Sequence, residues 1–202
     1  YMDYGGDDMT TAITVNGNVV VNGTLSLSEQ SGGDLNIKGN FTLDGSGTFN
    51  HRNRAVTFNG NSAQTISGTP TFAYITINNP HVSEKVTPGS AITVANLLTV
   101  TDGIFVSAAS DFAGVTIASD GTLESNGNIT VSGDWTNNGT FTSASNKVTF
   151  DGNGAQTISG TTTFFDLTIN NSHSSSKVSA NGSTLIVQDD LLIIDGIFEL
   201  EI

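Results

Sequence analysis

The chain contains no cysteine, which excludes disulfides, thiol nucleophiles and cysteine-held metals. Charged residues make up only 12% of its 202 residues, about half the usual share of a soluble domain. Glu and Lys number 5 and 4, too few of these strong helix formers for a helical or ordinary α/β enzyme. Basic residues are scarce, 6 Lys+Arg against 19 Asp+Glu for a net charge of −13. Phosphate binding needs basic patches, so nucleic acid is not an expected partner, and electrostatic docking on anionic lipid is equally disfavoured. No apolar run approaches the roughly 18 residues of a spanning helix, so membrane insertion is not expected. The start, Tyr1-Met2-Asp3-Tyr4-Gly5-Gly6-Asp7-Asp8, lacks the basic and apolar regions of a signal peptide. Either a signal has been removed or the sequence is a fragment.

What is present is 23 Gly, 22 Ser, 28 Thr and 21 Asn. Hydrophobic residues still reach 36%, enough to build a core. The stretch that opens at Val56-Thr57-Phe58 and closes at Asn79 returns at Val148-Thr149-Phe150 and closes at Asn171, with 18 of 24 positions identical at an offset of 92. Asp102-Gly103-Ile104-Phe105 likewise returns as Asp195-Gly196-Ile197-Phe198, and Gly39-Asn40-Phe41-Thr42 as Gly133-Asp134-Trp135-Thr136. The organisation expected is an acidic segment over 1–11, a first unit over 12–110 and a second over 111–202.

A shorter motif recurs inside the units: apolar-x-apolar, a turn-prone pair, apolar-x-apolar. It begins at Ile13, Leu35, Ile92, Ile129 and Leu185, and the copy at Ile129 ends in Asn137 instead of an apolar residue. Period-two alternation puts one set of side chains on one face of a strand. Val, Ile, Thr and Phe favour strands, and the intervening Asn-Gly, Asp-Gly and Ser-Gly pairs allow tight corners. Short strands and corners repeated without helices predict an all-β, parallel β-solenoid (β-helix) of roughly 8–9 coils. At about 20–25 residues per coil, each unit makes roughly four coils, and the rod is on the order of 40 Å long. A β-sandwich is the alternative, since it too has short strands with closely spaced turns.

The stretch 148–171, VTFDGNGAQTISGTTTFFDLTINN, resembles repeat regions of large secreted cell-surface and adhesin proteins of Bacteroidetes-type bacteria. Those regions read TVTFNGSG-QTISG-TTTFYNLTINN followed by LTV-GNLTLTSGIF. The resemblance covers about 150 residues of this chain and implies a right-handed parallel β-helix serving as stalk, adhesin or surface filament. It brings no catalytic residues with it.

Candidate chemistry is sparse. His81 and His173 occupy the same slot in the two copies, as a structural position would, and His51 stands apart. Arg52 and Arg54 fall on an expected polar corner. Asp102 and Asp195 sit in Asp-Gly turns. The acidic concentrations Asp189-Asp190-Asp195 and Asp3/Asp7/Asp8 are the candidates for Ca²⁺, which wants six to eight oxygens, but they match no known calcium loop. Pairs such as Thr99-Val100-Thr101 and Thr140-Phe141-Thr142 show no common spacing, which argues against a regular ice-binding face. Tyr74, Trp135 and Phe165 are candidates for carbohydrate stacking, against the possibility that Trp135 and its equivalent Phe41 point inward.

The C-terminal stretch is apolar to the last residue. An open coil end exposes unpaired backbone groups and invites pairing. The reading is therefore a non-enzymatic extracellular structural module without cofactors, either a self-stacking surface filament subunit or an adhesin or stalk segment. Its expected partners are copies of itself, head to tail through uncapped solenoid ends, and surface glycans. A carbohydrate-binding β-helix is the alternative. No catalytic, cofactor or metal residue is assigned.

Overall fold

The computed structural model describes residues 8–81, 83–181 and 184–201. Among these the chain forms 24 strands and no helix. Every strand pairing is parallel. The architecture is a β-solenoid of about 9 turns, as the repeats predict, and the sandwich is excluded.

Each turn presents three faces. On face one the rungs run Ile13, Leu35, Val56, Ile75, Leu98, Val115, Trp135, Ile158, Ala180 and Leu200, each paired with the next. Face two begins at Val19–Val21 and ends at Leu185–Val187, and face three begins at Thr24–Ser26 and ends at Leu191–Asp195. At about 4.8 Å per rung, the nine steps of face one give a rod of ~43 Å.

Coil length is less regular than the sequence motif implies. Rungs are separated by as few as 17 residues, from Leu98 to Val115, and by as many as 25, from Phe41 to Ile66. The strands stay in register because the corners absorb the difference. At the Asp-Gly corners, Gly103 and Gly196 have φ of 85° and 86°. A Cβ on Gly103 would lie 1.9 Å from the Asn79 carbonyl oxygen, so both backbone conformation and space require glycine there.

The 92-residue units keep their internal register. Val56 stacks on Ile75 as Val148 stacks on Leu167, and Gln64 on Val86 as Gln156 on Val178. The two copies do not lie on the same side of the rod, however. Val56 is on face one. Four turns later that face has reached Trp135, and Val148 lies two faces beyond, on face three. One unit thus advances four turns and two faces rather than a whole number of coils. Repeat-equivalent residues wind around the rod.

Inward positions form the core. In the first unit Phe41, Phe49, Phe58 and Phe72 pack edge to face or tilted, with ring centroids 5.2 to 6.3 Å apart. Their equivalents Trp135, Phe141, Phe150 and Phe164 repeat the cluster at 4.8 to 6.2 Å. Outward positions carry threonine ladders. On face one Thr57, Thr76, Thr99, Thr116 and Thr136 occupy five successive rungs, and on face three Thr130, Thr149 and Thr168 do the same. These ladders form although Thr-x-Thr pairs lack a common spacing, because corners of different length keep the rungs in register.

Phe72 touches three other rings and is fully buried. Phe72→Ala is expected to cost ~3–5 kcal/mol, read as a lowered denaturant midpoint with an unchanged slope. A cost below about 1 kcal/mol would mean that the aromatic cluster does not organise the first unit.

Candidate functional site

The most heavily bonded polar side chains are those that the sequence reading passed over. Gln64 lies wholly inside the solenoid. Its Nε2 donates to the carbonyls of Ile37 at 3.0 Å and Gly39 at 2.6 Å, and its Oε1 accepts from Gly60 N at 3.0 Å and Asn79 Nδ2 at 3.2 Å. Asn79 also donates to the Ser62 carbonyl and accepts from His81 N. In the second unit Gln156 and Asn171 rebuild the same network with Val131, Gly133, Gly152, Gly154 and His173. This clamp ties one corner to the coil beneath it and satisfies backbone groups that would otherwise be buried unpaired. Its trace in the sequence is the Gln and the paired Asn that recur unchanged in both copies.

The histidines belong to this corner. Nδ1 of His81 accepts from Ser83 N at 3.4 Å, and Nδ1 of His173 from Ser175 N at 3.3 Å and Ser176 N at 3.0 Å. Both rings close a turn. His51 Nδ1 accepts from Asn53 N, and burial lowers its pKa. Arg52 and Asn53 have positive φ in a tight turn closed by Arg54 N on the His51 carbonyl at 2.8 Å. Arg52 pairs with Glu29, and Arg54 Nη1 donates to the Gln30 carbonyl at 3.1 Å. The two arginines bind this corner to the coil below.

Other side chains staple successive coils. Asn18, Asn40, Asn128 and Asp134 each accept, through Oδ1, a backbone N–H of the next coil at 2.8 to 3.0 Å. Asn137, the irregular residue of the Ile129 motif, points inward. It donates to Thr161 O and Thr162 Oγ1, and Trp135 Nε1 donates to the same hydroxyl at 3.1 Å. Trp135 and Phe41 are both fully buried, so Trp135 offers no ring to a sugar. Tyr74 and Phe165 are half-buried at different corners.

The carboxylates are dispersed. Asp195 Oδ1 accepts from Gly196 N, the turn role expected of it, and Asp102 occupies the equivalent corner. Asp189 and Asp190 are exposed, with their backbone N–H groups donating to the Phe165 carbonyl and the Asp166 carboxylate. Asp3 and Asp7 lie outside the described residues. Among the described residues, no three His, Asp or Glu side chains converge as a metal site.

One shallow groove of about 300 Å³ brings two carboxylates together, Asp111 and Asp151, beside Thr130 and Ser132. Thr130 Oγ1 donates to Asp111 Oδ1. Partial desolvation raises the Asp151 pKa, its own backbone N–H works against that, and the Asp111 charge raises it further. Nothing in residue order points to the pair, because residues 111, 130 and 151 meet only through the rungs of face three.

The ends of the rod differ from its sides. Among the described residues, the exposed large hydrophobics are Ile13 and Val20 in the first coil and Ile186, Leu191, Leu192, Ile193, Ile194, Ile197 and Leu200 in the last.

Two outcomes are expected. Gln64→Leu strands several buried backbone groups and should destabilise by ~2–4 kcal/mol, with amide exchange accelerated at Gly60. Asp151→Asn should raise the melting temperature at neutral pH, and unit one already carries Asn59 at the equivalent position. Because the folded pKa is raised, the ionised form is the disfavoured one in the native state. The wild type should therefore gain stability as pH falls through the folded pKa, and the gap to the variant should close below the ordinary carboxylate range. A gap independent of pH would overturn the assignment. In comparisons with family models, curated proteins and solved structures, none matches this chain.

Proposed function

We propose that this protein is a non-enzymatic, extracellular structural module, a stiff rod that works as a self-stacking surface filament subunit or as a stalk segment of an adhesin. The observation that carries this reading is the unbroken ladder of ten rungs on face one. Its inward side is apolar apart from Asn137 and Gln156, and its outward side is largely Thr, Asn and Ser. Such a ladder resists bending and shear because each turn is hydrogen-bonded to the turns above and below. The motifs that recur between the copies, the Gln–Asn clamp and the aromatic cluster, hold coils together. The resemblance to Bacteroidetes-type surface repeats supports the same role and the extracellular setting.

Electron microscopy of the purified protein across a concentration series tests this. Filaments with an axial repeat near ~45 Å are expected of a self-stacking subunit, and discrete rods of about that length are expected of a stalk segment. Compact globular particles, or depolymerisation of polysaccharides by the purified protein, would overturn the reading.

A further inference from the structure

The first and last coils have matching surfaces, and the chain contains an internal example of how such surfaces join. The last coil, with inward Val187, Leu191 and Phe198, is the repeat equivalent of the coil carrying Val94, Leu98 and Phe105. Within the chain that coil is covered by the one carrying Phe112, Val115 and Leu123. Val94 pairs with Phe112, Leu98 with Val115, Gly103 with Gly121 and Phe105 with Leu123. The covering coil holds the same place in its unit as the first coil holds in the chain. Ser110 lies beneath Ile129, itself beneath Val148, as Ile13 lies beneath Leu35, itself beneath Val56. The corner Asp120-Gly121-Thr122-Leu123 corresponds to Asn22-Gly23-Thr24-Leu25.

We propose that the first coil of a second copy docks on the last coil of this chain in the register of that internal junction. Ile13–Val15 lies on Leu185–Val187, Val19–Val21 on Leu191–Asp195 and Thr24–Ser26 on Ile197–Glu201. The inference rests on the self-stacking form of the proposed function. The docking buries Val15 on Val187, Val19 on Leu191, Val21 on Ile193 and Leu25 on Phe198, and places Gly23 on Gly196.

A second observation points to the same occupant. Where the internal coil has Thr93, Thr99 and Thr101, the last coil has Ile186, Leu192 and Ile194. Where later rungs of face two present Thr42 outward, the first coil presents Val20. Val20 and Leu192 are 60% and 51% exposed, although the outward ladders elsewhere are mainly threonine. In the proposed register these two meet. An outward apolar pair at a joint is what a cross-strand contact between copies uses. Residues 19–25 also line a shallow depression at the rim of the first coil.

The register fixes a rotation. The first and the last described strands both lie on face one. Smooth continuation therefore sets the next copy's first strand on face two. Each copy is turned by about one third of a revolution and rises ~45 Å. Stacking without rotation would set Val20 above Ile186 and leave one strand position empty on each of faces two and three.

Because the chain has no cysteine, the register can be read by cross-linking. Paired residues on neighbouring strands lie within the Cα range that a disulfide spans. The double variant Val20→Cys/Leu192→Cys, oxidised with diamide, is expected to give a ladder of covalent multimers on non-reducing gels. The control Val20→Cys/Ile186→Cys should give at least ~10-fold less. Val20→Glu, at an exposed position, should abolish association while leaving the melting transition intact. A ladder from the control pair, or from neither pair while filaments persist in micrographs, overturns the register and leaves self-stacking standing. Monomers by both readouts at millimolar concentration overturn the docking and the filament form together. The last coil is then covered by something other than a second copy, as in a stalk segment.

Discussion

The structure depends on one constraint: each inward side chain must stand over another inward side chain one turn away. A parallel ladder enforces this, because a slip of one residue would turn an entire strand inside out. Here the register holds through ten rungs of face one although the chain between those rungs varies from 17 to 23 residues. Variation is confined to corners, where Gly103 and Gly196 take backbone conformations closed to other residues and where the Arg52-Asn53 turn reverses sharply. The strands are uniform and the corners carry the individuality.

Polar groups at the corners then decide stability. A parallel coil leaves backbone N–H and carbonyl groups unpaired wherever the chain bends inward, and burying them without partners is costly. The Gln64–Asn79 and Gln156–Asn171 clamps meet that need from within, and Asn18, Asn40, Asn128 and Asp134 meet it from the rim. Residues that invite a catalytic reading in the sequence, such as His81, His173, Arg52 and Arg54, take part in the same task. The Asp111–Asp151 groove differs, since there a pair of acids is brought together by the ladder itself, as Asp166 and Asp190 are beside Lys147.

The unit length has a consequence for any longer assembly. Because 92 residues advance four turns and two faces, a feature carried once per unit appears on a different side of the rod in the next. The chain as a whole adds one further face beyond complete turns. Along the described rod, features carried once per unit wind around the axis and are not gathered on one side.

Much of this was legible in residue order. Alternation of apolar and polar residues is a local property, so the strands, most of the inward apolar set and the all-β parallel fold follow from the sequence, whereas the inward placement of Trp135, which residue order left open, was decided by the structure. The aromatic equivalence of the two units was equally plain. What residue order could not decide was phase. How far each corner advances the chain depends on how it folds against the coil beneath, so the alignment of Thr57, Thr76, Thr99, Thr116 and Thr136 was invisible to spacing. The same holds for the meeting of Asp111 with Asp151 and for the rotation between repeats. The sequence determined which aliphatic residues of the alternating strands face inward. The tertiary structure decided which of them stand above one another, because register is set by contacts between turns and not within them.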